Sequence, residues 1–482
     1  MNILQQPTLF KQSCYAGGKW ISSSNVINVT NPANGELIGT IPKLSDQQII
    51  DTIEQSQQAM QKWKQETAKS RSIILRNWFN LIESNIDDLA YIMTMEQGKP
   101  LHESRGEIKY AASFIEWFAE EGKRTYGETI PQTIGTNRLT TIKQPIGVCG
   151  AVTPWNFPAA MITRKAAPAM AAGCSIIIKP ASETPYTALA LAELADQAGI
   201  PAGIFNVVTG ESRQIGEILT SHSLVKKFSF TGSTPVGRQL LKQCATTIKK
   251  SSMELGGNAP FIVFDDADID KAVEGAMIAK FRNGGQTCVC VNRLYIHDAI
   301  YDQFVSKFMD KVSNLKVGNG LDEGIDIGPM ITSQAIKNMQ SLLQDALDKG
   351  AKLAPLSIST PDHANYMSPQ VLLDVDHSMN IVHEEIFGPI ASIIRFSTEE
   401  EALERANDTI YGLASYFYTN NIKRVYRMSE NLEYGMIGIN TGLISNEVSP
   451  FGGTKQSGLG KEGSKYGIED YLEVKYLCLD IA

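Results

Sequence analysis

Along the chain the spacing of apolar positions changes character twice. Ser45-Asp46-Gln47-Gln48 has the form of a capping box, and Ile49, Ile50, Ile53 and Met60 follow it on one helical face. Helical spacing continues over 70–97 and 101–121, where Phe114, Ile115, Trp117 and Phe118 form an apolar cluster that reads as core. From Gln144 short apolar runs alternate with helical ones. Residues 146–152, 175–178, 205–208, 227–230 and 261–264 read as buried strands, and 184–198 and 235–249 as helices. This is the pattern of an open parallel sheet with helices on both faces. A second alternation follows Cys288, with strands over 293–296 and 391–396 and a helix over 299–312. Two α/β domains are therefore expected, with the cysteine in the cleft between them. Residues up to Gly39 read as irregular strands around a turn at 31–35, while 129–143 and 471–477 are strand-like but fit neither sheet.

Composition narrows the classes of function. Of the 482 residues 43% are hydrophobic and 20% charged, ordinary for a globular protein. Lys+Arg 44 against Asp+Glu 52 gives a net charge of -8 without any basic run, so no nucleic-acid partner is expected. That acidity repels anions at long range, so recognition of one falls to local arginines. No apolar stretch reaches spanning length, and the first seven residues lack a charged region leading into an apolar run. Neither a membrane span nor a secretory leader is expected. The seven cysteines are scattered without metal-ligand spacing, which suits free thiols in a reducing cytoplasm and no metal site.

Three segments carry candidate chemistry. Cys288 follows Arg282-Asn283-Gly284-Gly285-Gln286-Thr287, a turn whose glycines let substrate approach the backbone. A thiolate there is a nucleophile towards carbonyl carbon. Glu254-Leu255-Gly256-Gly257-Asn258 supplies a carboxylate, and Pro154-Trp155-Asn156-Phe157-Pro158 an amide. In these segments the chain resembles the aldehyde dehydrogenase superfamily. The resemblance implies an α/β fold of two open-sheet domains plus a small β oligomerisation element. The cofactor-binding domain would span 1–121 and 144–253, the catalytic domain 254–455, and the oligomerisation element 122–143 and 456–482. It also implies that Cys288 attacks an aldehyde and that Asn156 helps hold the oxyanion. Glu254 would be the base that hydrolyses the thioester to a free acid.

Phe230-Thr231-Gly232-Ser233-Thr234-Pro235 reads as strand, glycine turn and helix start, a place for a diphosphate. Lys179-Pro180-Ala181-Ser182 ends another strand of that sheet, where dinucleotides bind. Relatives that prefer NAD commonly carry an acid where Ser182 stands, so the resemblance implies NADP, with NAD used more weakly. It also implies cofactor contacts from Trp155, Asn156, Gly232, Ser233 and Leu255. In Glu384-Glu385-Ile386-Phe387-Gly388-Pro389, Glu385 and Phe387 would join them, Glu385 on the nicotinamide ribose.

Arg164, Arg282 and Ser445 match the carboxylate-binding residues of succinate-semialdehyde dehydrogenases within the superfamily. The implied substrate is a small ω-carboxy semialdehyde, succinate or the glutarate homologue, and the implied assembly a homodimer or homotetramer. Cys290 leaves a disulfide with Cys288 open. A cysteine hydrolase is the competing class, but neither His297 nor His383 lies in a matching motif.

Overall fold

A computed structural model describes residues 4–482. The larger of its two main sheets has eight strands. Five run parallel, in the spatial order Lys250–Glu254, Val225–Thr231, Val148–Val152, Ser175–Lys179 and Phe205–Val207. Antiparallel strands close both edges, Gly458–Leu459 at one and Cys14–Ala16 with Lys19–Ile21 at the other. The chain leaves Val148–Val152 towards one side and later returns beside it on the other. The gap between Val148–Val152 and Val225–Thr231 is therefore a topological switch point, where a ligand crevice opens beyond the strands' carboxyl ends.

The second sheet has seven strands, all parallel except the edge strand Lys352–Leu353. At its centre Ala259–Val263 lies beside Val291–His297, so the chain enters this sheet directly after Glu254 and re-enters it directly after Cys288. Each sheet has its own apolar core; Phe114, Ile115 and Phe118 are wholly buried in the first.

Leu472–Asp480 pairs antiparallel with Asn137–Pro145, which also takes Thr129–Ile130, in a separate three-stranded sheet. Val474, Tyr476 and Leu479 stand exposed there. No helix among the described residues is long and apolar enough to cross a membrane.

The capping box forms: Ser45 accepts from the Gln48 N–H while the Gln48 side chain accepts from Ser45 N–H at 2.9 Å. The helical stretch expected over 70–97 is two helices, Ala68–Ser84 and Ile86–Gln97. Asn85 divides them, leaving helical φ/ψ and donating its amide to Leu81 O at 2.8 Å. Such local side-chain bonding competes with the helix ladder.

Candidate active site

The switch point delivers two loops. One follows Val152 and carries Trp155 and Asn156; the other follows Thr231 and carries Gly232 and Ser233. The next strand ends on Glu254, and 255–258 crosses to the second sheet. Its hydrogen bonds hold that crossing: Leu255 N–H donates to Ser457 O at 2.9 Å, Ser457 Oγ to Gly256 O at 2.7 Å, and Gly257 N–H to Glu385 Oε1 at 2.9 Å.

The cysteine loop is set by backbone. The helix Ile269–Phe281 ends at Arg282, after which Asn283, Gly284 and Gly285 take φ of 51°, 61° and 79°. Such a left-handed run needs glycine or asparagine. A β-carbon on Gly285 would come within 2.3 Å of Gly388 O, and one on Gly257 within 2.2 Å of Cys288 O. Main chain thus packs on main chain on two sides of the loop. Asn283 ties it further, accepting from Gln97 Nε2 at 3.1 Å and donating to Asn156 O at 3.0 Å.

Nine of the residues expected at the site line one cavity of about 250 Å³: Cys288, Glu254 and Asn156, with Trp155, Gly232 and Ser233, and with Leu255, Glu385 and Phe387. Asn156 Nδ2 donates to Gln286 O at 2.9 Å, so the amide is fastened to the cysteine loop. Its second N–H remains for another acceptor. Trp155 and Phe387 meet edge to face with ring centroids 5.6 Å apart.

Glu254 is 2% exposed, and neither carboxylate oxygen has a hydrogen-bond partner among the described residues. Burial first, then repulsion from Glu462, pushes its pKa well above the usual range against the pull of Arg164, Lys165 and Lys461. Burial pushes the Cys288 thiol up to about 12, with Arg164 opposing and Glu385 and Glu254 adding to the rise. Glu385 is raised by burial to about 7. A thiol and a carboxyl that both resist ionisation, on one cavity, suit a reaction in which the proton leaves as the nucleophile attacks.

Other expected residues do not line that cavity. Lys179 ends its strand beside Ser182 Oγ at 3.4 Å, followed by Pro180 and Ala181, and donates to Ser212 Oγ at 2.6 Å. Burial lowers its pKa to about 8 despite the acidic Glu183 and Glu211. Ser212 was not foreseen; the strand-to-helix turn at Gly210-Glu211-Ser212 was the available signal.

Arg164 lies between Phe451, 3.9 Å from its ring centroid, and Phe114 at 5.7 Å. Its Nε–H donates to Glu462 Oε2 at 2.8 Å, and Lys165 Nζ lies 2.8 Å from the other oxygen of the same carboxylate. Glu462, also unforeseen, is held below the usual carboxylate range: burial alone would raise it, but Lys165 and Arg164 outweigh that. Arg282 lies 4.9 Å over the Phe157 ring and forms no ion pair among the described residues. No hydrogen bond joins Ser445 to either arginine. Cys288 and Cys290 are both free thiols; Cys290 is buried, with its sulfur 3.4 Å from Lys280 Nζ.

Comparison with known proteins adds four findings. A family model described as "Aldehyde dehydrogenase family" matches residues 20–477. The chain is 57% identical over 480 residues to succinate-semialdehyde dehydrogenase (NADP(+)) of Escherichia coli (strain K12), covering 99% of this chain and 100% of that protein. It is 58% identical over 480 residues to glutarate-semialdehyde dehydrogenase of Pseudomonas putida, with the same coverage of 99% and 100%. A crystal structure described as an E. coli NADP dependent enzyme superposes with a TM-score of 0.98 at 57% identity, covering 99% of this chain and 100% of that one.

Proposed function

The chain belongs to the aldehyde dehydrogenase family, and from that premise we propose that it oxidises succinate semialdehyde to succinate with NADP+. The observation that carries the reading is the meeting of Cys288, Glu254 and the Asn156 amide on one cavity at the switch point. Cys288 Sγ adds to the aldehyde carbon, and its proton passes to a base as the bond forms. The oxyanion takes hydrogen bonds from the second Asn156 N–H and the Cys288 backbone N–H. When bound, the nicotinamide supplies the hydride acceptor. Loss of that hydride from the carbon leaves a thioester on Cys288; Glu254 then removes a proton from water, the hydroxide attacks the thioester, and the sulfur leaves as succinate is released. A buried carboxylate with no partner is a strong base once ionised, which supports that role for Glu254.

The cofactor reading has its own support. Lys179 with Ser182 and Ser212 makes a cationic, hydroxyl-bearing corner that suits a 2′-phosphate. Gly232 and Ser233 precede the helix Thr234–Cys244, whose N-terminal N–H groups suit a diphosphate. Glu385 keeps one oxygen on Gly257 N–H; the other lies where a β-carbon on Gly256 would approach to 2.7 Å, open to ribose hydroxyl donors.

Arg282, a cation that forms no ion pair among the described residues, is the chief support for an anionic substrate terminus, with Arg164 and Ser445 completing the set. The exposed apolar strand Leu472–Asp480 supports a homodimer or homotetramer built on that edge. The seven free cysteines support a reducing cytoplasmic compartment. Glutarate semialdehyde, one methylene longer, is the second reading, favoured by the Pseudomonas putida relative. Steady-state kinetics with both semialdehydes and both cofactors test the proposal: the highest kcat/KM should fall to succinate semialdehyde with NADP+. A higher value for an uncharged aldehyde would overturn it.

A further inference from the structure

Tyr110 lies on the helix Leu101–Glu121, three residues after Glu107 and four before Phe114. Glu107 accepts from the N–H groups of Ala159 at 2.9 Å and Ala160 at 3.3 Å, so this part of the helix is fastened to the start of the helix that carries Arg164. Tyr110 packs on Phe114 with ring centroids 4.9 Å apart, and the Arg164 guanidinium lies over that same Phe114 ring. The Tyr110 hydroxyl is buried, and the Arg164 guanidinium that bonds to it can only donate, so its own hydrogen finds no acceptor among the described residues. Buried phenol groups nearly always find one, so this oxygen asks for an acceptor the protein does not provide.

Its surroundings say what kind. Burial raises the Tyr110 pKa, while the positive charges of Arg164 and then Arg282 act to lower it and Cys288 acts to raise it. The hydroxyl thus keeps its proton and stands within the field of both arginines and the nucleophile. Arg164 shares Glu462 with Lys165, and Arg282, though in the field of Glu103, forms no ion pair among the described residues, so its guanidinium is left to meet an incoming anion. An anion entering this corner would pair with Arg282 and accept from the orphaned hydroxyl together.

We propose that Tyr110 donates its hydroxyl hydrogen to the terminal carboxylate of the substrate, beside Arg282 and Arg164, and so helps select ω-carboxy aldehydes over uncharged ones. The inference rests on the reading of this site as a semialdehyde dehydrogenase. Tyr110→Phe removes the hydroxyl and keeps the ring on Phe114. The measured quantity is kcat/KM for succinate semialdehyde divided by kcat/KM for butanal, in parent and variant side by side. Loss of a hydrogen bond to a charged group should lower that ratio by about ten- to a hundredfold, chiefly through KM for the semialdehyde. Calorimetric titration of succinate into the cofactor-free protein should show a parallel weakening, and it decides the matter if turnover of the variant is too slow to rank substrates. A ratio within twofold of the parent's, or unchanged succinate binding, overturns the role of Tyr110 and leaves the proposed reaction standing. A parent that does not prefer succinate semialdehyde to butanal overturns the reaction and this inference together.

Discussion

Arg164 and Glu462 lie 298 positions apart in the chain and are joined by an N–H···O bond of 2.8 Å in a buried setting. The same carboxylate holds Lys165 and repels Glu254. Glu462→Gln should therefore leave two buried cations short of an anion and cost about 3–5 kcal/mol, measured by urea denaturation. It should also lower the pKa of Glu254, since a repelling charge is gone and two attracting ones are less compensated. The Glu254-dependent rise of the pH–rate profile should move to lower pH, and an unmoved profile would deny that coupling.

The two arginines should behave differently. Arg282 forms no ion pair to break among the described residues, so Arg282→Ala should lose about 2–5 kcal/mol of transition-state binding for succinate semialdehyde and much less for butanal. Arg164→Ala strands Glu462 near Glu254 and should slow both substrates. Parallel losses in Arg282→Ala would assign that residue to structure rather than to the substrate.

Glu254→Gln should give one burst of reduced cofactor, close to one per active site, and then stall as thioester. Cys288→Ala should give none. Rapid-mixing absorbance traces distinguish the two, and a Glu254→Gln steady-state rate equal to the parent's would remove the base from the mechanism.

Glu385 predicts a gain in stability. Its folded pKa is raised by burial from 4.5 to about 7. Below about pH 4.5 the carboxyl is protonated folded or unfolded, and its contribution to stability is complete. As pH rises towards about 7 the unfolded chain ionises freely while the folded one resists, and that contribution is lost. A difference of about 2.5 units corresponds to about 3 kcal/mol. Glu385→Gln escapes this loss, so the cofactor-free variant should be more stable than the parent by up to about 3 kcal/mol at pH 8 and nearly equal at pH 4.5. Cofactor affinity should fall in the same variant. Urea denaturation at the two pH values would expose an error if the gap did not widen with pH.

Ser182→Glu should turn preference from NADP+ towards NAD+ by setting a carboxylate against the 2′-phosphate beside Lys179. The ratio of the two kcat/KM values reads it; an unchanged ratio would move the phosphate elsewhere.

Much of this site was legible because Cys288, Glu254 and Asn156 each stand in a turn marked by glycine or proline, and such marks survive in one dimension. The alternation of apolar runs likewise indicated two open sheets. Partnerships between distant segments left no such trace. Nothing near Arg164 announces Glu462, and nothing near Lys179 announces Ser212, since each pair meets only once the sheet has formed. Gly458–Leu459 is too short to show a strand's two-residue period, though it closes the edge beside Glu254. The helix break at Asn85 was hidden for the opposite reason: the apolar period runs straight through it.

The cysteine loop is gripped through main-chain atoms, at Gly257 against Cys288 and at Gly285 against Gly388, whereas the proposed carboxylate site draws the side chains of Arg164, Arg282 and Ser445 from separate elements. Away from Arg164, whose charge also acts on Cys288 and Glu254, reactivity and selectivity can therefore drift independently over evolutionary time. Exchanging a pocket side chain for another of its size retunes which aldehyde is accepted without moving the nucleophile, while almost any replacement of those glycines forfeits the chemistry for every aldehyde at once. A lineage on this scaffold is free to acquire new substrates by a few point changes, and a designer seeking one should leave the glycines alone and work on the rim.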